Sequence, residues 1–172
     1  MSQAAKKFEK TYEKLEASYE KFAEKTKKFM EESRETTSES LNQAMDRVRQ
    51  DLEKAGDITR EEGEKIKAFL QRDLEQTSKD MKQLGTSTAD HLRPGSVRTG
   101  FYNLMSYVGT HSSELFDKLA EKAEKQVTVK TGEICSKTKL KCKGCETEIS
   151  IHDSSRVPPC PKCHKTEFKR TL

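Results

Sequence analysis

CKGCETEISIHDSSRVPPCPKCH, residues 142–164, holds two Cys-x-x-Cys pairs with 14 residues between them. Two residues between paired cysteines let one tight turn present both sulfurs, and Zn²⁺ takes four thiolates in a tetrahedron. The spacing between the pairs lies just under the usual 15–20 residues of ribbon-type zinc sites. Cys142, Cys145, Cys160 and Cys163 are therefore the expected ligands of one structural zinc ion. The last five residues, CPKCH (160–164), also match the attachment sequence of a c-type haem. That reading leaves the matched pair Cys142 and Cys145 without a role. It also needs an exported protein, and the N-terminus MSQAAKKFEKTYEK has no apolar segment of the secretory kind. His164 has a plainer explanation, because the residue after such a turn often needs positive φ, which His tolerates better than most.

Outward from this stretch, the surrounding residues have strand character. QVTVKTGEIC (126–135) and TEISI (147–151) alternate with period 2 and contain β-branched residues. Ile149 and Ile151 fall on one face, and Val157 and Phe168 can cover the same small core. Four or five apolar side chains do not stabilise some 40 residues by themselves. A structural zinc can contribute about 10–16 kcal/mol of apparent binding energy, which becomes folding energy. A zinc ribbon over residues 127–172 that folds only with its metal is the expectation.

The remainder, residues 1–126, reads as helical. Phe8, Tyr12, Leu15, Tyr19, Phe22 and Phe29 follow a 4-3-4-3 spacing along one face, with Glu and Lys on the flanks. The pattern fades in EESRETTSES (31–40) and returns at Leu41, Met45, Val48 and Leu52, so one helix over about 4–54 is expected. Gly56-Asp57 is a turn signal. Thr59-Arg60-Glu61-Glu62 fits a capping box and starts a helix over 59–84, with Ile66, Leu70, Leu74, Thr77, Met81 and Leu84 on one face. Residues 85–100 lack periodicity and read as a linker, and a third helix is expected over 101–125. The short connection at 55–58 favours an antiparallel pair. The expected fold class is mainly α with a small β zinc ribbon: an extended antiparallel helical hairpin or coiled coil followed by the ribbon.

Composition narrows the function. The chain has 172 residues, 36% charged and 31% hydrophobic, with no Trp, which suits amphipathic helices and not a thick interior. It has no apolar run long enough for a membrane span. The expected compartment is the cytoplasm, where paired cysteines more often bind metal than form disulfides. Residues 128–172 hold ten Lys/Arg and five Asp/Glu, a net charge of +5, leaving −1 for the rest. Four thiolates and Zn²⁺ add −2, so part of the basicity balances the metal site. Cys135 reads as a small half-buried strand residue, with a spare ligand or a redox thiol as alternatives. His91, His111 and His152 read as surface residues. The sequence has no phosphate-binding Gly-rich loop, nucleophile elbow or HExxH.

The helix GDITREEGEKIKAFLQRDLEQ (56–76) and the tail TGEICSKTKLKCKGCETEISIHDSSRVPPCPKCHKTEFKR (131–170) resemble a largely uncharacterised bacterial family of zinc-ribbon-containing proteins with an N-terminal helical region. The resemblance spans roughly residues 40–170. It implies a cytoplasmic Cys₄ ribbon at the same four cysteines and supplies no activity. His164 departs from the family pattern, where Gly is common.

A closed Cys₄ shell leaves no open metal position, so no enzymatic activity is expected. The first functional expectation is an interaction or adaptor module whose helices bind a protein partner or a second copy. The alternative is a nucleic-acid-binding protein using Lys141, Lys143, Lys162, Lys165, Lys169 and Arg170. Against it, Phe168 is the tail's one aromatic, so stacking platforms are lacking. A second alternative is a thiol-redox or metal-transfer protein, which needs exposed, reactive cysteines.

Overall fold

The amphipathic periodicity builds five helices among the described residues. In the computed structural model, residues 3–85, 100–124 and 127–171 are described, with side chains from residue 13 onward. The helices are α1 (Gln3–Ser33), α2 (Ser38–Lys54), α3 (Arg60–Leu84), α4 (Gly100–His111) and α5 (Ser113–Lys122). Six short strands follow: β1 (Thr128–Lys130), β2 (Ile134–Cys135), β3 (Thr138–Cys142), β4 (Glu148–Ile151), β5 (Ser155–Arg156) and β6 (Glu167–Thr171). This is the mainly α architecture with a small C-terminal β ribbon that the sequence predicts.

Two expected helices are each divided. The helix expected over 4–54 stops at Ser33, and Arg34 takes φ 56°, a left-handed conformation. Thr37 then caps α2: its hydroxyl accepts from the Ser40 N–H at 3.1 Å, and its own N–H donates to Ser40 Oγ at 2.8 Å. The fading of the apolar pattern over 31–40 is thus a turn, closed by a capping box with Ser in the place usually held by Glu or Gln. The helix expected over 101–125 is interrupted at Ser112, whose hydroxyl accepts from the Leu115 N–H and starts α5. The connection at Gly56 (φ 74°) and the Thr59–Glu62 capping box form as predicted. Of the expected linker, residues 86–99 lie outside the described residues, as do the side chains of Phe8 and Tyr12.

All five helices share one core. Tyr19, Phe22, Met45, Leu52, Ile66, Leu70, Leu74, Phe101 and Leu104 are all buried within it. Within it α1 packs against α2 and α4, and α3 against α2 and α5. Gly100 permits the α1–α4 approach, since a Cβ there would run into the backbone carbonyl of Glu20. The Glu20 carboxylate in turn accepts the Phe101 N–H at 3.1 Å, placing negative charge at the start of α4.

The ribbon consists of a four-stranded antiparallel sheet, ordered β1-β6-β3-β4, and the pair β2-β5. Register puts Leu140 opposite Ile149 and Arg170, and Cys142 opposite Phe168. Val127, Val129, Leu140, Ile151, Val157 and Phe168 form its core, with partly buried Ile149 against it. Strands β3, β5 and β6 add to the two strand segments predicted from alternation.

Ribbon and helices are joined by a buried polar cluster. Asp73 of α3 is fully buried. Its carboxylate accepts from the Tyr19 hydroxyl at 2.9 Å and from the Ser136 N–H at 2.7 Å, and pairs with Arg72 at 3.1 Å. Arg72 also donates to Glu133 and to the Ile134 carbonyl, both at 2.6 Å. From β6, Arg170 reaches Asp80 at 3.1 Å and Asp73 at 3.9 Å. Ile134 of β2 completes the contact by entering the helical core. Burial, reinforced by the Asp73 charge, holds the Tyr19 hydroxyl well above its ordinary pKa, so it remains a donor.

Removing one member of a buried charge cluster strands the others without partners. Asp73→Ala is expected to lower stability by about 3–5 kcal/mol in urea unfolding of the zinc-loaded protein. A loss below about 1 kcal/mol would contradict the role assigned to this carboxylate.

Candidate metal centre

The two Cys-x-x-Cys turns are near copies in backbone geometry. In the first, the Glu146 N–H donates to the Cys142 carbonyl at 3.0 Å; in the second, the His164 N–H donates to the Cys160 carbonyl at 2.9 Å. The residue after each second cysteine is left-handed, Glu146 at φ 60° and His164 at φ 56°. His164 therefore answers a backbone requirement, as the sequence suggests, and its counterpart Glu146 shows that the requirement is met twice without Gly. Hydrogen bonds close each turn on itself, and one ties the first turn to β6. The Cys142 N–H donates to the Thr147 carbonyl, the Lys143 N–H to Glu167, and the Cys160 N–H to Lys165, at 2.9 to 3.0 Å.

All four sulfurs lie within 4.8 Å of one another, with Cys142 Sγ 3.5 Å from Cys163 Sγ and Cys145 Sγ 3.6 Å from Cys160 Sγ. A tetrahedral ion with Zn–S bonds of about 2.3 Å places its sulfurs about 3.8 Å apart, so the cage fits zinc. A disulfide needs about 2.05 Å, and all five cysteines are free thiols. The four cysteines are thus positioned to bind one metal ion. Cys142 and Cys160 are buried, while Cys145 and Cys163 are half-buried.

The surroundings favour thiolate at Cys142 and Cys145. The Gly144 N–H donates to Cys142 Sγ at 3.3 Å and lowers that thiol's pKa. The Thr147 hydroxyl, 3.2 Å from Cys145 Sγ, is the largest influence pulling Cys145 down to about 6. At Cys163 the Lys165 N–H pulls the same way, but the neighbouring sulfurs together outweigh it and push this thiol up to about 12. Four sulfurs this close cannot all be thiolates without a cation between them, which is the deficit a divalent ion removes. A thioether-bound haem would require Cys160 and Cys163 to leave this cage, and His164 is exposed outside it.

Cys135 stands apart from the cage, buried on β2. Burial, followed by the Asp73 charge, pushes its thiol up from 9.0 to about 12. The folded state favours its neutral form. That stabilisation is complete below pH 9.0 and is lost as pH rises toward about 12. His111 stacks on Tyr107 at 4.2 Å and is exposed, as is His152; His91 lies outside the described residues.

The basic residues divide. Lys143 pairs with Glu167 at 3.3 Å, and Lys141 with Glu146 at 3.5 Å. Lys141 and Lys169 are cross-strand neighbours on one sheet face. Lys162 and Lys165 are exposed at the second turn. Arg170 does not join them. It faces inward from β6, with 6% of its side chain exposed, and is held by Asp80 and Asp73. The Asp73 cluster and the Thr147 contact are absent from the sequence expectations. An Asp seven residues after Ile66, on the apolar stripe of α3, is the one sequence signal that points to the cluster.

Two results are expected. His164→Gly should keep one bound zinc ion and raise, or leave unchanged, the stability of the loaded protein, by up to about 1 kcal/mol. Metal content and urea unfolding check this, and loss of zinc would make His164 a ligand. In iodoacetamide labelling followed by mass spectrometry at pH 8, the zinc-loaded protein should label slowly at all five cysteines. A chelator should expose the four cage cysteines first and Cys135 last. Rapid labelling of the loaded protein would favour thiol chemistry.

Residues 27–172 match the family model described as "Zinc-ribbon containing domain". The match begins inside α1, earlier than the residue-40 limit of the sequence resemblance. No curated protein and no solved structure matches the chain. With the match extending over most of the chain and over all four cysteines of the cage, the chain belongs to the zinc-ribbon containing domain family, which is uncharacterised.

Proposed function

We propose that this protein is a non-enzymatic interaction module, in which a helical body carries a zinc ribbon in a fixed orientation for a protein partner or a second copy. The observation that supports it is the joint between the parts. Asp73, Arg72 and Arg170 tie the ribbon to α3 through buried ion pairs. Such a joint holds two surfaces in register, which suits simultaneous contact with a partner. The metal, ringed by four thiolates, has no open position for substrate. A cytoplasmic setting suits cysteines that must stay reduced. Among the described residues no helix is long and apolar enough to cross a membrane.

A second reading is favoured by one feature. Lys141 and Lys169 are direct cross-strand neighbours, and like charges so placed are destabilising without a counter-charge. Glu146 offsets Lys141 in part. The remaining positive charge, together with Lys162 and Lys165, suits a phosphate backbone.

The intact protein and a Cys145→Ser variant, used as baits in extract of the source cells, test the first reading. A protein partner should be retained by the intact bait and reduced at least tenfold with the variant. Recovery of the same set by both baits would contradict the proposal. Titration with RNA and DNA at two salt concentrations separates the second reading. No binding at low salt is expected, whereas binding with a log–log salt slope near −0.9 per phosphate contact would favour the nucleic-acid role.

A further inference from the structure

The seam between helices and ribbon contains a cavity of about 330 Å³, lined by residues of α3, α4, β3, β4 and β6. Its size falls in the range of small-molecule sites, about 300–1,000 Å³. The walls are apolar: Met81 from α3, Met105 from α4 and Ile151 from β4 are buried there, and Tyr102 and Leu84 extend the surface outward. Leu84 is 55% exposed, a large apolar side chain left in contact with water beside the opening. An apolar occupant of this cavity would take the apolar surface of its walls out of water, which is favourable.

The polar groups have a bias. Lys137, Lys139 and His152 line the cavity from exposed positions, and among the described residues neither lysine side chain takes part in an ion pair. Among the described residues Asp80 is the one lining carboxylate, and it is paired with Arg170 at 3.1 Å. Arg170 is more than nine-tenths buried, and its Nε has no hydrogen-bond partner among the described residues. The opening is thus positive and the interior apolar. Tyr102, raised to about 12 chiefly by its burial, stays a neutral hydroxyl in the wall.

We propose that this cavity binds an amphipathic carboxylate, its alkyl chain against Met81, Met105 and Ile151 and its anionic group at Lys137 and Lys139. Apolar contact with the walls supplies the affinity. Charge complementarity at the opening sets which end of the ligand stays outside. This site is independent of the metal cage and of the interaction role proposed above.

The test is isothermal titration calorimetry of the full-length, zinc-loaded protein with decanoate, below its micelle-forming concentration, with decyltrimethylammonium as the cationic counterpart. Decanoate should bind saturably at one site and at least tenfold tighter than the cation. Lys137→Glu combined with Lys139→Glu changes only exposed side chains, and should weaken decanoate at least tenfold without loss of zinc. Ser106→Trp, which fills the cavity from α4, should abolish binding. Three results would each overturn the proposal: no saturable binding to the native protein, equal or tighter binding of the cation, or decanoate affinity unchanged in both variants.

Discussion

Four sulfurs carried on two separate turns must meet at one point, and the last third of the chain is organised around that requirement. Cys142 and Cys145 end β3 and begin the turn into β4, while Cys160 and Cys163 precede β6. The apolar contribution of this region is small, amounting to Val127, Val129, Leu140, Ile151, Val157 and Phe168 around the cysteines. Six such side chains do not offset the conformational entropy of some 45 ordered residues. A structural zinc would supply the difference, and the Gly144 N–H and the Thr147 hydroxyl lie beside two of the sulfurs positioned to hold it.

The ribbon so formed is fastened to the helices by charge rather than by a broad apolar face. The Asp73 carboxyl group lies fully inside the protein, and its burial is tolerable because Tyr19, Ser136, Arg72 and Arg170 surround it. Its partners come from α1, α3, the β2–β3 connection and β6, so the cluster forms only when helices and ribbon are both in place. The same geometry takes Arg170 off the outer basic surface and sets it against the cavity at the seam.

Much of this was legible in the sequence because its signals are local. Each Cys-x-x-Cys turn is a four-residue unit, and the Thr59–Glu62 capping box is another. The apolar stripe at Leu41, Met45, Val48 and Leu52 is fixed by helical period alone, and all four are buried. What escaped was either an unusual version of a local signal or a consequence of tertiary contact. The α1–α2 turn was hidden because its capping box closes with Ser40, not Glu or Gln. The division at Ser112 hides behind a continuous apolar pattern, since α4 and α5 present the same kind of residue to one core. Arg170 looked like one more base in a basic tail. Only the β3–β6 register, which sets it opposite buried Leu140, turns it toward Asp73 and Asp80.

X-ray absorption at the zinc edge of the purified protein measures the cage most directly. A single shell of four sulfurs at about 2.3 Å, with one zinc per chain, is the predicted result. A shell containing nitrogen or oxygen, or iron in place of zinc, would contradict it, because the ribbon would then be built around a different centre from the one its four cysteines form.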